Sequence, residues 1–243
     1  MTEKEHIYLA IPTIDGTIGK GADWLMCAAN RFSADPSFPY RFTTNVIEGA
    51  KPPEYMWNCA AEAILNTNAT RLWKMDNDMV PMKNAFDLLA TPGDITAGLF
   101  FRYQYTTMED TRLSICAYKR DFAGKLQPIA PPPEAPAIQK VDAVGGGSIV
   151  IRREVLEDPD MRLAPDQSPP AIFQRHQEPN GKITRSADID FCERAGALGY
   201  DIRVNLGVPF DQMTRMGLNV VMALTAGGAM KDEDPTPRIH LAS

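Results

Sequence analysis

A short apolar run that ends in two aspartates constrains the fold of this chain more than any other stretch. Residues 71–75 read RLWKM, Asp76 and Asp78 follow one residue apart, and a helix is expected over 82–90. In an extended segment, side chains two residues apart point to the same side. A strand, a polar turn and a helix in this order are typical of open α/β sheets, which bind ligands at the carboxyl ends of their strands. The pattern predicts an α/β fold with both carboxylates in its ligand site.

Two carboxylates in that position suggest a metal. Carboxylate oxygens are the ligands that Mg²⁺ and Mn²⁺ prefer, and such an ion can bridge to the phosphates of a nucleotide. A pair of aspartates one residue apart also occurs by chance in solvated turns, so the neighbouring segments have to support the interpretation.

Those segments continue the α/β pattern. An apolar first strand is predicted at 7–13, and a glycine-rich run at 145–147 precedes another apolar strand. The five prolines of 128–136 exclude a central strand or a helix interior there. Further strands are predicted at 40–48, 94–103 and 200–208, an edge strand or half-hairpin at 114–120, and helices at 19–31, 52–66 and 187–199.

Composition sets outer limits on the class of protein. A chain of 243 residues with 44% hydrophobic and 23% charged residues suits one α/β domain with an ample core. The net charge of −6 and the absence of a lysine- or arginine-rich block argue against an extended nucleic-acid surface. No apolar run approaches the roughly 18 residues that span a bilayer, and the N-terminus does not resemble a signal peptide. The four scattered cysteines are expected to be buried, reduced thiols, and the expected location is the cytoplasm.

Three segments together resemble GT-A-fold glycosyltransferases, particularly the compact, family-2-like enzymes of bacteria and their viruses. They are DNDM after the apolar strand, VGGGSIVIRR at 144–153 and SADIDF at 186–191, in the order in which that family has them. The resemblance extends from about residue 7 to 213. It implies one GT-A-like domain over 1–225, with a central, mostly parallel sheet and helices on both faces, followed by a partly flexible tail over 226–243.

The resemblance also implies residues that contact the nucleotide-sugar. In that family the loop after the first strand receives the base and ribose, which makes Thr13 and Asp15 candidates, although both could simply cap the next helix. Glu48, at the end of the second strand, is a weaker candidate. The family's Arg-Asn pair corresponds here to Trp57-Asn58, so a phosphate-binding cation is missing and Asn58 is the matched position.

The glycine-rich run and the SADIDF segment would form the other half of the site. Gly146 and Gly147 would allow the main chain to approach the donor sugar and the acceptor, with a purely structural bulge as the alternative. In inverting members of the family, the carboxylate that matches Asp188 takes the proton of the acceptor hydroxyl. A helix-capping role would also explain part of this segment, because Ser186 can serve as N-cap and Asp190 suits the first turn.

The metal site departs from the family pattern at its last ligand. The family has a histidine where Gln212 stands, and Asp211 precedes it. The resemblance implies that Asp76 faces the ribose of the nucleotide or bridges to the metal, and that Asp78 is a metal ligand. Asp211 or Gln212 would take the place of the histidine, or the diphosphate would complete the site with Asp78.

The predicted activity is transfer of a sugar from a nucleotide diphosphate-sugar to an acceptor hydroxyl. UDP is the expected carrier, and Mn²⁺ or Mg²⁺ the expected metal. A related nucleotidyltransferase is one alternative, although no glycine-rich loop follows the first strand. A binding module that kept the fold and lost the chemistry is another, supported by Gln212 and the missing arginine. The acceptor (a glycan, lipid, protein or modified nucleic-acid base), the stereochemical outcome and any homo-oligomer are left open.

Overall fold

The computed structural model describes residues 3–14, 16–49, 52–82, 84–105, 111–132, 134–164 and 166–212. The predicted domain limit at residue 225 and the tail over 226–243 lie outside these ranges, as does Asp15. The strands are β1 Glu5–Thr13, β2 Tyr40–Glu48, β3 Arg71–Met75, β4 Met79–Pro81, β5 Ile95–Leu99, β6 Phe101–Tyr105, β7 Thr111–Ile115, β8 Ala117–Arg120, β9 Leu126–Pro128, β10 Ile138–Lys140, β11 Ala143–Val144, β12 Ser148–Arg152, β13 His176–Gln177, β14 Ile183–Arg185 and β15 Ile202–Gln212. The helices are α1 Lys20–Ala34, α2 Pro53–Leu65, α3 Arg153–Glu157 and α4 Ala187–Ala197, with 3₁₀ helices at Ala85–Ala90 and Pro159–Met161.

The central sheet is mixed but mostly parallel. Its order is β10-β15-β5-β12-β3-β1-β2, with β4 paired to the end of β15. Strands β2, β1, β3, β5 and β15 run in one direction, whereas β12 is antiparallel to both of its neighbours and β10 is antiparallel at the edge. The carboxyl ends of the parallel strands and the start of β12 therefore lie along the same edge of the sheet.

Apolar side chains of β1 alternate between the two faces of this sheet. Ile7, Leu9 and Ile11 belong to a core with α1 and the 3₁₀ helix at Ala85–Ala90. Tyr8 and Ala10 belong to the opposite core, which contains α2, α3 and α4. A strand covered on both sides has no polar face, which explains its unbroken apolar sequence. The predicted α/β class, with helices on both faces, is confirmed.

Several predicted elements differ in detail. The strand expected over 94–103 is interrupted at Phe100. There the chain leaves the central sheet after β5, and the next strand, β6, pairs with β7 in a separate sheet. The segment 114–120 is likewise divided at Cys116 between two small sheets. A short strand, β4, follows Asp78, and the helix expected over 82–90 is a 3₁₀ helix that begins at Ala85.

The cysteines and helices test two further expectations. All four cysteines are reduced thiols, and Cys116 and Cys192 are buried as expected, whereas Cys27 is exposed and Cys59 is half-buried. The described ranges contain no helix that is both long enough and apolar enough to cross a membrane.

Candidate functional site

A buried lysine lies at the centre of the carboxyl edge of the sheet. Lys74, in β3, has only 2% of its surface exposed. Its Nζ lies 2.5 Å from Oδ1 of Asp76, donates to the carbonyl of Gly146 at 2.5 Å, and lies 3.6 Å from the centroid of the Trp57 ring. An ammonium without water needs such partners, because an isolated buried charge is costly. Lys74 thus joins β3, the glycine-rich run and α2.

The charges around Lys74 are unbalanced. Burial lowers the pKa of Lys74, and the carboxylates of Asp76, Asp188 and Asp78 oppose this effect. Burial raises the pKa of Asp76, while Lys74 acts in the opposite direction. Three carboxylates around one ammonium leave two formal negative charges when all are ionised. That balance suits an added divalent cation.

Asp76 and Asp78 occupy a turn rather than an extended segment, which corrects the structural reason for grouping them. Strand β3 ends at Met75, and the amide of Met79 donates to the carbonyl of Asp76 at 3.1 Å. Asn77 holds this turn against the loop before α1, since its Oδ1 accepts from the Gly19 amide at 2.5 Å. Both aspartates still line the same pocket.

That pocket, the strand-end pocket, has a volume of about 550 Å³. It is lined by Pro12, Thr13, Ile14, Pro53, Met56, Trp57, Asp76, Asn77 and Asp78. Thr13 is buried, and its hydroxyl donates to the carbonyl of Thr17 at 3.0 Å. Glu48 is exposed and does not line the pocket; its carboxylate is next to Gly16, where φ is 74°.

A second cavity, the hairpin cavity, has a volume of about 740 Å³ and lies on the other side of Asp76. The β8–β9 hairpin and the segment from β14 into α4 form its walls, and Gly145, Gly146 and Gly147 also line it. Asp76 and Trp57 line both spaces. The two cavities therefore meet at one carboxylate and one aromatic ring.

Asp188 enters the hairpin cavity from the first turn of α4. Its Oδ2 accepts from the Gly146 amide and its Oδ1 from the Ile189 amide, each at 2.9 Å. Ser186 occupies the N-cap position but makes no side-chain capping bond. Asp188 is held by backbone donors, and each of its oxygens keeps a further lone pair for a proton donor.

Gln212 and Asp211 lie at the end of β15, where it pairs with β4. Gln212 lines the hairpin cavity, and its amide nitrogen donates to Oδ2 of Asp78 at 2.9 Å. Side chains of a strand alternate between its faces, so Asp211 points away from the side that Gln212 occupies. Within the described residues, no group of three or more His, Cys, Asp or Glu side chains could hold a metal ion. A metal at Asp76 and Asp78 would need further ligands from a bound molecule or from water.

The glycines pack closely against aromatic rings. A Cβ on Gly146 would lie 2.1 Å from Cη2 of Trp57, and one on Gly147 would lie 2.9 Å from Cζ of Phe100. This packing is sufficient to require glycine at both positions, whether or not a ligand also approaches the main chain.

Asn58 makes its contacts within the protein. It is buried in α2, where its oxygen accepts from the amides of Ile172 and Phe173 and its nitrogen donates to the carbonyl of Phe173. It lines neither the strand-end pocket nor the hairpin cavity. The described contacts show Asn58 anchoring the segment that packs behind Trp57.

Lys74 is a residue of the candidate site that sequence reasoning missed. Its signal was a lysine in an otherwise apolar central strand, directly before the two aspartates. A charge at such a position needs a buried partner. The position matched to the family's arginine carries Trp57, which covers this internal cation.

No protein-family model and no curated protein sequence matches the chain. Solved structures of similar arrangement include A197 from STIV, which is 15% identical, with 86% of each chain covered and a TM-score of 0.47. GalNAc-T7 with UDP, GalNAc and Mn²⁺ is 9% identical over 88% of this chain, with a TM-score of 0.47, and this chain spans 44% of its length. The inositol-1-phosphate CTP transferase from T. maritima is 9% identical, with 93% of this chain and 97% of that chain covered and a TM-score of 0.43. At these values the similarity describes chain arrangement and assigns no activity to this protein.

Proposed function

We propose that this protein is a GT-A-like glycosyltransferase that moves a sugar from a nucleotide diphosphate-sugar to an acceptor hydroxyl. One observation carries the proposal: the strand-end pocket and the hairpin cavity meet at Asp76 and Trp57. A transferase has to hold two substrates on either side of the bond that is exchanged. The proposal places the nucleotide in the strand-end pocket and the acceptor in the hairpin cavity, with the sugar between them beside Asp76.

Asp188 has the position of a general base in this arrangement. It lies in the acceptor cavity, and the backbone donors of Gly146 and Ile189 fix its orientation. In the proposed step, the acceptor oxygen forms a bond to the anomeric carbon as the bond from that carbon to the diphosphate breaks. The diphosphate leaves with the electron pair, and Asp188 takes the proton of the hydroxyl. This in-line displacement inverts the configuration at the anomeric carbon.

The residues present fit a divalent cation that is shared with the donor. Asp76 and Asp78 supply hard oxygen ligands, and the excess negative charge around Lys74 favours a cation. Bound Mg²⁺ typically uses one or two carboxylates and completes its shell with substrate phosphates and water. When bound, Mn²⁺ or Mg²⁺ would stabilise the charge of the leaving diphosphate. Gln212 would keep Asp78 oriented through its N–H, rather than act as a ligand itself.

A thermal-shift series tests the donor site. Wild type and Asp78→Asn are each melted with UDP, GDP and dTDP and their sugar conjugates, with and without Mn²⁺. Ligands that bind only the folded state raise its melting temperature. We expect a Mn²⁺-dependent rise with one nucleotide in wild type and its loss in Asp78→Asn. Asp87→Asn is the matched control, because Asp87 is exposed and lines neither cavity. Shifts that do not depend on Asp78 would contradict the proposed metal-bridged donor site.

A non-catalytic binding module is the second candidate. One observation favours it. Gln212 stands where the resembled family has a metal-binding histidine, and its side-chain N–H donates to Asp78. Such a module would bind a nucleotide and leave its sugar attached. Release of sugar from any donor would exclude it.

A further inference from the structure

We infer that the hairpin cavity recognises a phosphate group on a small acceptor molecule. This inference rests on the proposed function, because it takes the hairpin cavity as the acceptor side. The chain as a whole is acidic, with a net charge of −6, yet four cationic side chains from the described part of the chain line this one cavity. They are Arg102, Arg120, Lys125 and Arg185.

Two of these cations form a unit held by a single carboxylate. Arg120, from β8, and Arg185, from β14, both pair with Glu193 of α4, which is only 14% exposed. Arg185 also lies 3.6 Å from Asp190. Glu193 brings together two guanidinium groups from separate hairpins, and both remain almost half exposed beside the cavity. Their positions are fixed before any ligand arrives.

The other two cations are not neutralised in the same way. Among the described residues, neither Arg102 nor Lys125 forms an ion pair with a carboxylate, and both are exposed. The Arg102 guanidinium carbon lies 5.7 Å from the centroid of the Tyr118 ring, which also lines the cavity. Together with the Arg120–Glu193–Arg185 unit, these two residues give the outer part of the cavity a positive charge.

Apart from Glu193, the acidic side chains that line the cavity have partners other than its four cations. Asp76 pairs with Lys74, and Asp188 is bonded to the Gly146 amide. An acceptor could thus place its hydroxyl at Asp188 and an anionic group at the arginines. Guanidinium forks match phosphate oxygens in geometry and charge. A volume of about 740 Å³ lies in the range of small-molecule sites, which favours a phosphorylated sugar or polyol over a polymer.

Isothermal titration calorimetry with glycerol 3-phosphate and with glycerol tests the inference on the full chain. EDTA is present, so that a metal-bridged phosphate at Asp78 cannot contribute. We expect glycerol 3-phosphate to bind and glycerol not to bind. Arg120→Gln and Arg185→Gln should each weaken binding about tenfold, as expected for the loss of a charge-assisted contact. Each single variant leaves one arginine on Glu193, which protects the fold.

Two further variants test the inference without changing the Arg120–Glu193–Arg185 unit. Arg102→Gln and Lys125→Gln remove cations without breaking a described ion pair and should also weaken binding. Arg152→Gln is the matched control: Arg152 is 47% exposed, like Arg185, but lies at the opposite end of the sheet. Its effect should stay below about twofold.

The outcomes separate this inference from the proposed function. Binding of glycerol 3-phosphate that is unaffected by all four cavity variants, or equal binding of glycerol, would overturn the inference. Preferred binding of a single-stranded oligonucleotide over glycerol 3-phosphate would overturn the small-molecule assignment. Asp78→Asn should leave glycerol 3-phosphate binding intact while it removes Mn²⁺-dependent nucleotide binding, so either proposal can fail without the other.

Discussion

The strand-end pocket is lined mainly by residues at the ends of β1 and β3 and by α2, whereas the hairpin cavity is lined largely by hairpins and the start of α4. Among the described residues, two aspartates and no lysine or arginine line the strand-end pocket. Four cations from the described ranges line the hairpin cavity. The two regions share Asp76 and Trp57, which stand beside the buried Lys74. Under the proposed function, a donor bridged by a divalent cation and an anionic acceptor would be recognised by separate parts of the fold.

Replacing Asp188 by Asn should give the largest effect. The change removes the proposed proton acceptor from the hairpin cavity and should lower kcat by about 10²–10⁴-fold. Nucleotide affinity in the strand-end pocket should not change, which initial-rate kinetics and calorimetry can measure separately. Asp23→Asn is the matched control, because Asp23 lies in the first turn of α1, as Asp188 lies in the first turn of α4, but Asp23 lines neither cavity. Equal rates for wild type and Asp188→Asn would show that Asp188 is not the proton acceptor and serves only the first turn of α4.

Lys74→Met should destabilise the wall that the two cavities share. The variant leaves the Gly146 carbonyl without its charged donor and Asp76 without its cation. Because Asp76 is partly exposed and can regain water, we expect a loss of about 1–3 kcal/mol in unfolding free energy, measured by urea denaturation. Adding Asp76→Asn to Lys74→Met should cost less than the two single changes together. Strict additivity would show that the contact does not couple the two residues.

Gly146→Ala should act through Trp57. The new methyl group would lie 2.1 Å from the Trp57 ring, so the loop or the ring has to move, at a cost of about 1–3 kcal/mol. Thermal denaturation of Gly146→Ala and of Gly146→Ala with Trp57→Leu measures this cost, and the double variant should recover part of it. Gly196→Ala is the control, since its methyl group would be 3.8 Å from the nearest atom, on Ile202. Equal stability of Gly146→Ala and wild type would contradict the packing account.

His6→Gln should give the smallest effect of these variants, a change in the pH dependence of stability. His6 lines neither cavity. His6 is buried at the start of β1, with ring nitrogens 2.7 Å from Asn68 Oδ1 and 2.9 Å from Thr43 Oγ1. Burial lowers the pKa of His6 below its ordinary value of 6.5. As the pH falls below 6.5, the unfolded chain binds a proton before the folded chain does, so stability decreases. Urea denaturation at pH 7.5 and 5.5 should show a larger decrease in wild type than in His6→Gln.

The sequence was most informative about the strand-end pocket. Polar residues that follow buried strands have a fixed relation to the sheet edge, so Asp76 and Asp78 could be grouped from local pattern, whereas Thr13 was found through the family resemblance. Both aspartates do line one pocket, but they lie in a turn and not in the extended segment from which they were grouped. The first strand was predicted over 7–13 from its apolar run and is found over Glu5–Thr13, and the second was predicted over 40–48 from its alternation and is found there.

The hairpin cavity could not be predicted in the same manner. Arg120 lies 73 residues before Glu193, and only the fold brings it to the Arg185–Glu193 pair. The break at Cys116, which redirects the chain from one small sheet into another, has no proline or glycine beside it. Gly98 precedes the break at Phe100 but lies inside β5 rather than at its end. Asp188 was found through its resemblance to a family motif, while its bond to Gly146 required the fold.

Sugar release from a nucleotide-sugar tests the central claim most directly. Wild type, Asp78→Asn and Asp188→Asn are incubated with UDP-, GDP- and dTDP-sugars and Mn²⁺, with glycerol 3-phosphate as a trial acceptor, and the freed nucleoside diphosphate is quantified by chromatography. The account predicts release by wild type from one donor and strong loss of release in both variants. Nucleotide binding without release from any donor would contradict transfer and favour a binding module.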